Sequence, residues 1–109
     1  MIDYLFVCSA NKLRSPTCEH VARLMGFSAN SVGTAPDYVG GYSRALSDQA
    51  IAEARRVVCM EEYHASCVRT LAPERDADIE VWNIPDIYDY CQPELVDIVR
   101  ERLSRDRGG

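Results

Sequence analysis

The stretch Val7-Cys8-Ser9-Ala10-Asn11-Lys12-Leu13-Arg14-Ser15-Pro16 governs how the whole chain reads. Ahead of it, Ile2 to Val7 is a short apolar run of β-branched and aromatic residues, the pattern of a buried strand. Behind it, Ser15-Pro16 announces a helix, because Ser can accept a hydrogen bond at the N-cap and Pro fits the first turn. Cys18, Val21, Ala22 and Met25 follow at helical spacing, and Gly26 suits the stop. A thiol therefore ends a strand, and an arginine stands just before a helix N-terminus. Successive backbone N–H groups in such a loop converge into an anion nest, to which the helix dipole adds. Arg14 can offer a two-pronged guanidinium to two oxygens of a bound oxyanion, a geometry Lys lacks. The same positive field favours the thiolate of Cys8, the nucleophilic form. Ser15 is placed to donate to that thiolate, a role that competes with N-capping.

Outward from this loop, strands and helices alternate. Phe27 to Gly33 reads as a weaker second strand and Thr34 to Tyr42 as a loop rich in Gly, Pro and aromatic residues. Ser47 caps a helix running through Arg55, with Ala50, Ile51 and Ala54 inward. Arg56 to Met60 is a third strand. Glu61 to Ala72 is a helix with His64, Cys67, Val68 and Leu71 on one face, closed by Pro73. Ile79 to Ile84 is a fourth strand and Pro85 to Cys91 a loop of Asp and Tyr. Gln92-Pro93-Glu94 opens a last helix with Leu95, Ile98, Val99 and Leu103 buried. This alternation predicts an α/β fold, a parallel sheet covered by helices, in one domain over residues 1–109.

Composition narrows the function classes. The chain has 109 residues, 12 Lys+Arg against 17 Asp+Glu, and a formal net charge of −5. The run from Asp76 to Glu94 carries acids and no base, which leaves a nucleic-acid backbone little to grip. No apolar run reaches the roughly 20 residues of a membrane span. The start lacks a basic segment before its apolar stretch, so a cytoplasmic protein is expected. The five cysteines, at 8, 18, 59, 67 and 91, show neither C-x-x-C spacing nor paired histidines nearby. Reduced thiols, without metal or cofactor, are the expectation.

A Cys-x5-Arg-[Ser/Thr] motif arises by chance roughly 0.05 times in a chain of this composition, and less often between a strand and a Pro-started helix. The stretch Phe6 to Ala22, FVCSANKLRSPTCEHVA, resembles the phosphate-binding loop and first helix of the low-molecular-weight protein tyrosine phosphatases. Ser31-Val32-Gly33-Thr34, Arg44-Ala45-Leu46-Ser47, Val58-Cys59-Met60 and Ile84-Pro85-Asp86-Ile87-Tyr88 resemble later segments of that family in order. The match is nearest its short bacterial branch. The resemblance implies a four-stranded parallel sheet of order 2-1-3-4 in a three-layer arrangement. It implies a phosphomonoesterase acting through a phosphocysteine on Cys8, with Arg14 clamping the anion and Asp86 as general acid. Asp89 is the alternative acid. Ser9, Ala10, Asn11, Lys12, Leu13 and Ser15 would line the anion site. Tyr38 and Tyr88 would flank an aromatic ring. Asn11 is expected to shape the loop through its tolerance of left-handed backbone. The implied substrates are phosphotyrosine proteins or small aryl phosphates, with free phosphate or another oxyanion as inhibitor.

Departures from the family pattern are also legible. Ala10 stands where the family has Gly, so the loop either avoids positive φ there or carries strain. Leu13 replaces a second loop cysteine that can protect the nucleophile as a disulfide, and Ile87 replaces a proline after the acid. Two other functions stay open on the same scaffold. Arsenate reduction would need Cys59 and Cys67 as a thiol relay. A non-catalytic phosphoanion binder or phosphocysteine carrier would have no use for Asp86.

Overall fold

The computed structural model describes residues 1–35 and 44–108. Four strands, β1 (Ile2–Cys8), β2 (Ala29–Gly33), β3 (Ala54–Cys59) and β4 (Ile79–Val81), form one parallel sheet in the order β2-β1-β3-β4. The helices are α1 (Arg14–Leu24), α2 (Asp48–Ala52), α3 (Glu62–Leu71) and α4 (Pro93–Gly108), with a 3-10 turn at Pro73–Asp78. The sheet order is the one the resemblance implied.

Strand alternation sorts the core into two layers. Tyr4, Phe6 and Cys8 of β1 face α1 and α4, packing with Val21, Ala22, Trp82, Leu95, Val99 and Leu103. Leu5 and Val7 face the other way, with Ile51, Val57, Cys59, Ala65 and Val68. Both faces of β1 are buried, as a central parallel strand demands. After β2 the chain crosses over to pair β3 with the far side of β1. The C-terminal end of β1 is therefore a switch point, where open α/β sheets form crevices.

Several element boundaries differ from the sequence reading. The helix beginning after Ser47 ends at Ala52, because Ala54 enters the sheet opposite Ile2. Ser47 does cap it, accepting from the Ala50 N–H at 3.1 Å. The 3-10 turn was not anticipated; its Arg75 donates to the carbonyls of Ile51 and Ala54, a tertiary staple with no local signal. β4 stops at Val81, yet the N–H groups of Trp82 and Ile84 still bond Cys59 and Met60. Between them Asn83 adopts φ 55°, which breaks the pleat. Leu71 is not on the buried face of α3 but 45% exposed, and Ala65 takes an inward place. Cys67 and Ile98 are half-buried.

Candidate active site

Cys8 closes β1, and the chain then loops through Ser9 to Leu13 into α1. The approach is close. A Cβ on Gly33 of the neighbouring strand would meet the Ser9 carbonyl oxygen at 2.5 Å and the Asn11 nitrogen at 2.9 Å, so only glycine lets the loop lie on β2. The left-handed residue of the loop is Asn11, at φ 57°; Ala10 has no positive φ, which removes the strain its side chain would have caused. Asn is among the few side chains that accept this backbone.

Asn11 is buried and its amide is oriented by the chain. The Arg44 backbone N–H donates to Asn11 Oδ1 at 2.7 Å, so Nδ2 must be the donor to Ser15 Oγ and to Ser31 Oγ, both at 3.0 Å. Ser31 in turn donates to Glu19 at 3.2 Å. Ser15 Oγ accepts from Asn11, and its own proton has two acceptors in reach, Cys8 Sγ at 2.9 Å and the more distant Val32 carbonyl at 3.4 Å. Ser15 is thus a thiol partner and not the helix cap. The N-cap position is Leu13, with no side-chain bond, and Ser15 lies within the first turn.

Arg14 is a buried charge, 2% exposed. Both of its short bonds use Nη1, to Glu61 Oε2 at 2.6 Å and to the Ile84 carbonyl at 2.8 Å. A fork onto an anion must then come from the Nε and Nη2 edge. Asp86 stands at that edge, 3.7 Å from Nε. The guanidinium beside Glu61 holds that carboxyl below its usual range, despite an opposing contribution from burial.

Cys8, Ala10, Lys12, Leu13, Arg14 and Asp86 together line a cavity of about 100 Å³. Predicted nucleophile, arginine and acid thus converge on one crevice. Asp89 is elsewhere, its backbone N–H bonded to Gln92 Oε1 in the turn before α4. Tyr88 packs half-buried against the α1 and α4 core and is not among the cavity's walls, whereas Ile87 is 72% exposed beside the acid. Tyr38 lies outside the described residues. Ser9 turns to His64, with Oγ and Nε2 2.9 Å apart.

Glu61 and His64 are the site residues that sequence reasoning missed. It read both only as helix residues. The available signal was position: Glu61 stands two residues past the end of β3, on the same sheet edge that presents Cys8. His64 is fully buried and its Nδ1 accepts from the Glu61 N–H at 3.0 Å. Burial, then the nearby Arg14 charge, push its pKa below the ordinary imidazole value.

The other cysteines are distributed by the sheet. Cys59 faces α2 and α3, on the opposite layer from Cys8, and burial pushes its thiol up to about 12. Cys18 is buried in α1, its thiol raised by burial and by proximity to Cys8.

No protein-family model matches the chain, and no curated protein matches it. Solved structures do. The tyrosine phosphatase Wzb from Escherichia coli K30 in complex with phosphate is 21% identical with a TM-score of 0.72, covering 96% of each chain. A low-molecular-weight protein tyrosine phosphatase from T. tengcongensis is 16% identical with a TM-score of 0.71, over 96% of this chain and 99% of that one. The arginine phosphatase YwlE from Geobacillus stearothermophilus is 19% identical with a TM-score of 0.70, over 98% and 96%. The chain has the fold of the low-molecular-weight tyrosine phosphatases.

Proposed function

We propose that the protein is a phosphomonoester hydrolase that works through a phosphocysteine on Cys8 and acts on aryl phosphates, phosphotyrosine among them. The observation that carries the reading is the convergence on one cavity of the Cys8 thiol, the buried Arg14 guanidinium and the Asp86 carboxyl. In the first step the Cys8 thiolate attacks phosphorus, a P–S bond forms, and the P–O ester bond breaks. Asp86, as carboxylic acid, gives its proton to the departing phenolate. In the second step the Asp86 carboxylate takes a proton from water, whose oxygen attacks phosphorus. The P–S bond breaks and inorganic phosphate leaves. Ser15, donating to Cys8 Sγ, stabilises sulfur as nucleophile and again as leaving group. Arg14 and the loop N–H groups meet the charge on the equatorial oxygens.

Ile87, next to Asp86 in the chain and 72% exposed, would offer the ring of an aryl leaving group an apolar surface. The Asp86 carboxyl at the cavity speaks for turnover over a binding or carrier role. The sheet between Cys8 and Cys59 gives an arsenate-reducing thiol relay no short route. The test is hydrolysis of p-nitrophenyl phosphate with EDTA present, by wild type and Cys8→Ser. Wild type should turn over and Cys8→Ser should not, while still binding phosphate through Arg14. Activity of Cys8→Ser within tenfold of wild type would remove the nucleophile. Parallel release of phosphate from phosphotyrosine, phosphoserine and phosphoarginine peptides ranks the substrate classes.

A further inference from the structure

An anion-receiving loop pays an electrostatic penalty when empty. Its N–H dipoles converge and a buried guanidinium faces them, so the loop tends to open unless something outside holds it. In this structure the two ends of the loop are held by a single turn. Glu61 takes Arg14, the first residue of α1 where the loop ends, through its carboxylate. His64 takes Ser9, the first residue after the nucleophile, through Nε2.

The imidazole's proton can be assigned from its partners. The Glu61 backbone N–H only donates, so Nδ1 accepts and is bare. The neutral ring's proton is then on Nε2, donating to Ser9 Oγ. The same ring closes the first turn of α3 onto Glu61, so the two grips are mechanically one unit. We propose that this turn is a two-point clamp on the phosphate-receiving loop, and that neutral His64 is a positioning residue that keeps the loop in its anion-ready shape. The proposal rests on the phosphatase reading for its consequence in catalysis.

The clamp has a defined failure. A proton added at Nδ1 would face the Glu61 N–H, donor against donor, and the grip on that backbone would be lost. The groups around the ring pull both ways. Arg14 from α1 opposes protonation, while the Glu61 carboxylate and Asp86 from the loop after Ile84 favour it. Ser9 and the Tyr63 ring, 5.4 Å away, are the neutral neighbours.

Glutamine is the conservative replacement. Its carbonyl can accept from the Glu61 N–H, as Gln does at N3 of a capping box, and its amide can donate to Ser9, but it does not titrate. The experiment measures amide hydrogen exchange of residues 9–14 by NMR, inorganic-phosphate affinity, and p-nitrophenyl phosphate kinetics. It compares wild type, His64→Ala, His64→Gln, Ser9→Ala and the double variant His64→Ala/Ser9→Ala. His64→Ala should speed loop exchange and weaken phosphate by about tenfold each, the loss of one to two buried hydrogen bonds. His64→Gln should restore both to within about threefold, as a mostly satisfied pair would. The double variant should be no worse than His64→Ala, since His64 acts through Ser9. In wild type the loop's protection should fall only once pH is taken below the ordinary imidazole value of about 6.5, because the folded ring takes up its proton there, and in His64→Gln it should not.

Loop exchange and phosphate affinity of His64→Ala within twofold of wild type would overturn the clamp, as would a folded His64→Gln that fails to restore them. If His64→Ala does not fold, Ser9→Ala decides: it must loosen the loop by itself. Should wild type neither bind phosphate nor hydrolyse the ester, the phosphatase reading falls, and the exchange series still rules on the clamp.

Discussion

Two loops meet at the cavity, and they are built on opposite terms. Residues 8–14 bury Cys8, Asn11 and Arg14 and bond nearly every polar side chain among them. Residues 85–91 are mostly exposed, Asp86 60% so, and are anchored at their ends. Ile84 is buried before them, and after them the Cys91 N–H bonds Thr17 Oγ1, which itself bonds the Leu13 carbonyl. The contrast fits the work that the proposed mechanism gives each. Groups that stabilise developing charge are effective when they need no rearrangement, which demands a rigid, desolvated frame. A group that delivers a proton to a leaving group and then takes one from water has to reach solvent.

The largest break in this contrast comes at the frame. Arg14→Lys keeps the charge but loses both the fork and the simultaneous bonds to Glu61 and Ile84. A fall of about 10²–10³-fold in kcat/KM for p-nitrophenyl phosphate is expected. A Lys variant within threefold of wild type would mean the guanidinium geometry is not what the site uses.

At the exposed loop the effect should depend on the leaving group. Asp86→Asn should lower kcat on phenyl phosphate by about 10²–10³-fold, and on p-nitrophenyl phosphate by less, because nitrophenolate departs without a proton. Asp89→Asn should show no such dependence. Equal losses on both esters for Asp86→Asn would assign that residue a role in shaping the loop and move the acid to Asp89.

A smaller effect separates conformation from bonding within the frame. Asn11→Ala loses the bonds to Ser15, Ser31 and Arg44 and forces alanine to φ 57°; Asn11→Gly loses the same bonds without that strain. Alanine should be less stable than glycine by about 1 kcal/mol in urea melts, the cost of a left-handed residue. Equal stability would mean the loop relaxes out of that conformation when the amide is gone.

The smallest is a pH effect. His64 is buried with its pKa lowered by desolvation first and by Arg14 second. The unfolded ring takes up a proton near pH 6.5, the folded ring only at lower pH, so the unfolded state binds more protons in that interval. Stability should therefore be full above about pH 6.5 and decline as pH falls toward the folded value. Urea melts between pH 8 and 5 should show the decline in wild type and a flatter profile in His64→Gln.

What the sequence by itself determined is local. Alternating apolar runs set β1 and the helices, and the spacing Cys8 to Arg14 to Ser15 placed a thiol, a guanidinium and a hydroxyl around one turn. Asn11 was legible because few residues tolerate its backbone. The place of Asp86 beside the cavity was legible because it follows a strand on the edge that presents Cys8. Tertiary structure decided the rest, since the deciding partners lie far off in the chain. Ser15 turned to the thiol and not to the cap because Asn11 occupies its acceptor side. Arg14 is buried because Glu61, 47 residues on, and the carbonyl of Ile84, 70 residues on, receive it. Ala54 left its helix for a place beside Ile2. His64 became part of the loop's frame because the crossover from β2 to β3 brings α3 against Ser9. Local pattern fixes what each residue can donate, accept or bury, and only the folded chain supplies the other half of each bond.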